Sequence, residues 1–119
     1  MPAIAIRTSL FPLRFQVKGK PVELTVEIIN NGEKTKMISL EIFLPHALGF
    51  DKGSLNKGVR KRIGNIKPGE TQKMRFEIYP SPVAQKGTYT AEVNVLEHHE
   101  DFSQVIKVYS REFDCRIIK

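Results

Sequence analysis

The stretch LEHHED, residues 96–101, brings His98 and His99 together with the carboxylates of Glu97, Glu100 and Asp101. Neutral imidazole and carboxylate oxygen both bind zinc, and a catalytic zinc takes three protein ligands with a fourth position left open. His98, His99, Glu100 and Asp101 are therefore the candidate metal ligands of the chain, and a metal-dependent hydrolase is the chemistry they would support. Their spacing works against a ready-made site. On an extended chain, adjacent side chains point to opposite faces, so His98 falls with Glu100 and His99 with Asp101, and each pair is short of ligands. Glu33 and Glu70, in turns expected at the same end of the molecule, are the groups that would complete a set. A hairpin tip that turns a corner is the reading the spacing favours, and no cofactor is expected.

Cys115 is the only cysteine, so no intramolecular disulfide can form. Within an alternating strand it reads as a small buried hydrophobe. His46, which would have to serve it as a base, follows Pro45 in a loop at the opposite end from His98 and His99. No nucleophile elbow, phosphate loop or dinucleotide fingerprint is present. The chain is therefore expected not to be an enzyme.

The elements that position these residues are strands. In PVELTVEIINNG the apolar row is Val22, Leu24, Val26 and Ile28, ended by Asn30, Asn31 and Gly32. TKMISLEIFLP gives Ile38, Leu40, Ile42 and Leu44, closed by Pro45. A Gly- and Lys-rich loop follows, with a short strand or turn near Leu48 to Phe50, and then VRKRIGNI. KPGE, residues 67–70, places Pro and Gly as a type II turn requires. TQKMRFEIYP turns Met74, Phe76 and Ile78 inward, and GTYTAEVNVL does the same with Tyr89, Ala91, Val93 and Val95. In SQVIKVYSREFDCRIIK the apolar parity moves from Ile106 and Val108 to Phe113, Cys115 and Ile117, which predicts a bulge between Tyr109 and Glu112. About seven strands with turns every eight to twelve residues, and no helical period, predict an all-β protein: an immunoglobulin-like antiparallel β-sandwich, one domain over residues 1–119. In that order the N-terminal residues form strand A, and B, C, D, E, F and G follow at 21–28, 35–44, 59–66, 71–79, 87–97 and from 103.

Gly87-Thr88-Tyr89 is similar to the start of an immunoglobulin strand F, where a tyrosine hydroxyl ties the corner to upstream backbone. Ala91 stands where an antibody domain has its second cysteine, Leu24 or Val26 where it has the first, and no tryptophan is present. More widely, VELTVEIINNGEKTKMISLEIFLP, IGNIKPGETQKMRFEI and GTYTAEVNVLE resemble the CARDB-like immunoglobulin-fold domains of archaea and bacteria. What the resemblance implies is adhesion or protein interaction.

Nineteen basic residues exceed 13 acids, for a net charge of +6. In the expected fold the acids Glu33, Glu70, Glu97, Glu100 and Asp101 gather at one end. Lys18, Lys20, Lys52, Lys57, Arg60, Lys61, Arg62 and Lys86 gather at the other, opposed mainly by Asp51. Lys52, Lys57, Arg60, Lys61, Arg62 and Lys86 are the candidate partner-binding residues, able to draw in an acidic protein surface or phosphates. Phe50 is the one aromatic beside them, so a nucleic-acid partner is the lesser expectation. Pro12 suits an edge strand, whereas the final strand has no such guard, and RIIK is placed to pair with another chain, so homo-oligomers through strand edges are a further expectation. No apolar run is long enough to span a membrane or to form an export signal, and with one cysteine a cytoplasmic setting is expected, with an extracellular one as the alternative for a fragment of an exported protein. Together these readings make the chain a non-enzymatic interaction module with a protein partner. A metal site at residues 97–101, or an anion or nucleic-acid site at the basic end, is the alternative.

Overall fold

A computed structural model describes residues 3–16, 20–53 and 55–118. The described residues form nine strands and no helix: β1 Ile4–Phe11, β2 Arg14–Gln16, β3 Val22–Asn30, β4 Lys36–Phe43, β5 Leu48–Gly49, β6 Gly58–Ile66, β7 Thr71–Pro80, β8 Gly87–His98 and β9 Val105–Ile118. They make two sheets, one ordered β1-β3-β7-β5 and the other β2-β9-β8-β4-β6. The alternating rows meet between the sheets. Leu24, Val26 and Ile28 of β3, Ile38, Leu40 and Ile42 of β4, and Val93 and Val95 of β8 are fully buried. Each such aliphatic side chain contributes about 1.5–3 kcal/mol by leaving water, so these rows are what hold the two layers face to face.

Turn chemistry sets where the rows begin and end. Gly69 has φ +80, and the Glu70 amide donates to the Lys67 carbonyl at 2.9 Å, the type II geometry expected of Lys67-Pro68-Gly69-Glu70. The Tyr89 hydroxyl donates to the Gln85 carbonyl at 2.8 Å and so pins the entry to β8. At the far end of β3, Asn30 is fully buried. Its side-chain amide donates to the carbonyls of Lys34 and Ile66, each at 2.9 Å, and its side-chain oxygen accepts from the Gly32 amide at 2.9 Å. Its backbone also exchanges hydrogen bonds with the 67–70 turn, accepting from Gly69 and donating to Glu70. One asparagine thus joins two turns at the same end of the sandwich.

Four placements differ from expectation. Residues 58–66 do not sit beside β7 as a strand D. They pair along their length with β4, from Gly58↔Phe43 to Ile66↔Lys36, and β5 takes the position next to β7. Alternation reports which face a side chain takes and is silent on which neighbour the backbone bonds. The N-terminal segment divides at Pro12: β1 pairs with β3 in one sheet and β2 pairs in parallel with β9 in the other. Proline donates nothing to a ladder, so this is where the chain leaves one sheet for the other. The expected bulge between Tyr109 and Glu112 is absent, because Tyr109, Arg111, Phe113, Cys115 and Ile117 keep one parity opposite Val95, Val93, Ala91, Tyr89 and Gly87. The irregularity lies at Ile106, between the pairs Glu97↔Lys107 and His98↔Val105, while Val108, opposite Leu96, takes the other parity from Tyr109 and is about half exposed on the outer face. Finally, Arg116–Ile118 is not a free end, since β2 pairs with it. The unpaired edge of β9 is its first part, before Arg116. Lys119 lies outside the described residues.

Candidate functional site

The LEHHED stretch turns a corner. β8 ends at His98, Glu100 takes the left-handed φ of 67°, and the Asp101 carboxylate accepts hydrogen bonds from the Ser103 amide (2.8 Å) and hydroxyl. Those bonds hold the Asp101 carboxyl below its usual range. The candidate ligands are not brought together. The ring of His99 lies 3.6 Å from the Glu100 carboxylate on the solvent side of the tip, whereas His98 is buried at the end of β8. Glu97 is buried on the opposite face from His98, held by the Lys36 ammonium at 3.2 Å and the Tyr109 hydroxyl at 3.0 Å. Burial and that bond to Glu97 push the Tyr109 hydroxyl up to about 12. Glu70 accepts from the Lys67 amide at 3.0 Å and is taken up in its own turn. Among the described residues no three His, Cys, Asp or Glu side chains converge as metal ligands would.

Cys115 is fully buried on β9 opposite Tyr89, and burial, with Asp114 next to it, pushes its thiol up to about 12. Thiolate, the nucleophilic form, is therefore scarce at neutral pH. His46 packs its ring edge-on against Tyr89, with centroids 5.6 Å apart.

The candidate partner-binding residues separate into two groups. Lys52 and Lys86 are exposed in the loops at the end opposite LEHHED, as expected, and Lys20 is exposed there too. Lys18 lies outside the described residues. Lys57 is a structural tie: its ammonium donates to the carbonyls of His46 (2.9 Å) and Leu48 (2.6 Å), and burial lowers its pKa despite nearby Asp51. Asp51 in turn accepts from the amides of Leu55 and Asn56. Arg60, Lys61 and Arg62 are not at that end. They lie midway along β6, opposite Glu41, Leu40 and Ser39, because β6 runs back beside β4 through the middle of the sheet. β6 closes its sheet, so among the described residues nothing pairs with the side of its backbone away from β4.

Three consecutive cations on one strand must alternate in direction, and each meets a different partner. Arg60 makes a 2.6 Å ion pair with Glu41, Lys61 lies over the Phe76 ring at 5.8 Å, and the Arg62 guanidinium lies over the Phe102 ring at 5.0 Å. Between Arg62 and the tip of the β8–β9 hairpin a groove of about 470 Å³ opens on the outer face, lined by Ser39, Arg62, Leu96, His98, Phe102 and Val105 among others. In its floor His98 Nε2 and Ser39 Oγ share a hydrogen bond of 2.7 Å, and Phe102 packs edge-on against the His98 ring at 5.1 Å. Ser39 and Phe102 were not singled out by the sequence. Ser39 reads as one more polar residue in the outward row of β4, and its partner His98 is 59 residues away.

No protein-family profile matches the chain, and no curated protein matches it significantly in sequence. Solved structures do match. One is a FixG-related protein from Vibrio parahaemolyticus, 10% identical, with a TM-score of 0.59 and 98% of each chain covered. Another is the CARDB domain of a Pyrococcus furiosus protein in complex with di-metal ions, 18% identical, with a TM-score of 0.63, covering 98% of this chain and 89% of that one. At such identities the likeness extends to the backbone and not to the side chains of a site. The chain has a CARDB-like, all-β sandwich fold.

Proposed function

We propose that this chain is a non-enzymatic protein-binding module, and that an acidic partner docks along β6. The observation that carries the reading is that β6 is a nine-residue edge strand with one unpaired side and three cations in succession, Arg60, Lys61 and Arg62. Unpaired amides and carbonyls offer a partner backbone its hydrogen bonds, and the cations select for an acidic one. The same charges repel a second copy of β6, and the irregularity where Ile38↔Gly64 gives way to Ser39↔Arg62 bends the edge. Both features are ways natural sheets guard an edge against their own kind. Lys52 and Lys86 extend the positive field toward the loop end and speed encounter. A cytoplasmic setting is part of this reading, supported by the single, buried, unpaired Cys115.

The test compares the native chain with a Lys61→Glu/Arg62→Glu variant. Both side chains are exposed, and the thermal midpoint should barely move. In nuclease-treated extract of the source cells, the native chain should retain a specific protein that the variant loses, with association slowed most at low salt, where screening is weakest. Equal retention by both proteins at low salt would remove β6 from the interface. Retention seen in untreated extract but absent from nuclease-treated extract would transfer the edge to a nucleic-acid ligand.

A further inference from the structure

We infer that the groove beside Arg62 seats an acidic residue of the partner together with the apolar side chain next to it. This rests on the protein-binding reading above and names the chemistry recognised. Of the three β6 cations, Arg60 is neutralised by Glu41 and Lys61 turns to Phe76. Arg62 has no carboxylate within ion-pair reach among the described residues, and its guanidinium lies over the ring of Phe102, a wall of the groove, at 5.0 Å. A ring face takes none of the guanidinium N–H groups in an ion pair, so they stay available to a carboxylate.

Away from β6, whose Arg60 and Lys61 also line the groove, and from Glu41, the side toward the hairpin tip is apolar. Leu96 is half-buried, Val105 is 46% exposed, and Phe102 closes the far side. Val108 and Ile106, 51% and 58% exposed, extend the outer apolar surface along β9. A free carboxylate ion would use the Arg62 edge alone. A leucine- or valine-sized side chain beside that carboxylate would also cover Leu96, Phe102 and Val105, which otherwise stay wet.

The floor supplies a second observation. His98 is 7% exposed, and its Nε2 is engaged with Ser39. Its Nδ1 is buried with no hydrogen-bond partner among the described residues. A buried polar atom left unpaired costs free energy that a ligand group or a trapped water recovers. The groove thus sets the Arg62 guanidinium, with Arg60, Lys61 and the Arg60-paired Glu41 beside it, against an apolar wall over the buried His98. Positive charge at the rim excludes a basic segment, and the apolar wall disfavours a purely acidic one.

The probe is an acetylated, amidated heptapeptide alternating aspartate and leucine, titrated into isotope-labelled protein at low salt and followed by amide chemical shifts. Saturable shifts should map to Ser39, Arg62, Leu96, His98, Phe102 and Val105. Arg62→Gln should weaken binding about tenfold, the scale of one charge-assisted hydrogen-bonded contact, and so should Val105→Glu, which sets a carboxylate against the incoming one. A peptide with lysine in place of aspartate should not saturate, and neither should an all-aspartate peptide. Shifts confined to β6 without the groove residues, or affinity unchanged in both variants, would overturn the inference. Equal shifts on adding phosphatidylserine vesicles or an oligonucleotide would overturn it too. The two readings separate cleanly. If the retained partner is lost in Lys61→Glu/Arg62→Glu but binds Val105→Glu normally, the groove is wrong and the edge stands. If the peptide fills the groove while the partner ignores the β6 charges, the edge is wrong.

Discussion

Asn30→Ala should destabilise the fold by about 3 kcal/mol, from three side-chain hydrogen bonds lost together and a buried carbonyl left without its donor. The Ile66 carbonyl is the one stranded in the interior, where the bond from Asn30 is fully buried. Gly32 and Lys34 lose their partners nearer the surface. Urea unfolding should show the midpoint falling with the slope unchanged. Asn30→Asp is the sharper variant, because it keeps the volume and the acceptor for the Gly32 amide but sets a carboxylate oxygen against two carbonyls. It should be at least as damaging at neutral pH as alanine, and should recover part of the loss as the medium is acidified and the carboxyl regains a proton to donate. An Asn30→Asp protein as stable as the native one would mean that the two turns are not joined through this side chain.

Phe15→Ala should cost still more, about 3–5 kcal/mol on the scale of large-to-small changes at buried aromatics. Phe15 is fully buried, yet it belongs to a strand of only three residues, and that strand is paired on one side alone, in parallel with the end of β9. The short ladder is too weak to keep β2 in place by itself, so the ring buried in the core is what anchors it. Total stability for a domain of this size runs about 5–15 kcal/mol, so the variant should lose a large share of it and unfold at a clearly lower urea midpoint. Hydrogen exchange in milder variants, such as Phe15→Leu, should rise first at Arg116–Ile118, whose edge β2 covers.

Most of the architecture was legible because alternation reports burial directly. Val22, Leu24, Val26 and Ile28, then Ile38, Leu40 and Ile42, then Ala91, Val93 and Val95, are all in the core as their spacing requires. The Pro68-Gly69 turn and the Tyr89 corner were readable too, since both follow from local residue chemistry. What the sequence left open is non-local. Nothing in Val59–Ile66 says whether its backbone bonds to β4 or to β7, and that choice carried Arg60, Lys61 and Arg62 from the loop end to the middle of an edge. Ile106 and Val108 look like core because they are apolar, but Val108 falls on the outward parity opposite Leu96 and Ile106 sits at the register shift, and both are exposed. Asn30 was readable as a turn former, whereas its bond to Ile66, 36 residues away, was not. The His98–Ser39 pair is hidden for the same reason. In LEHHED the two-residue period covers only Glu97 and His98, which take opposite faces at the end of β8; His99 lies in the turn beside Glu100, whereas strand spacing pairs it with Asp101.

Amide hydrogen exchange on the native chain, alone and saturated with the protein it retains from extract, tests the central claim most directly. β6 has one unpaired side, so its outward amides should exchange quickly in the free protein and slow by at least tenfold in the complex, a change of about 1.4 kcal/mol in the opening free energy. Protection should centre on Arg60–Arg62. Protection confined to the free first part of β9, or to the loops carrying Lys52 and Lys86, with β6 exchanging as before, would contradict the account and move the interface elsewhere on the sandwich.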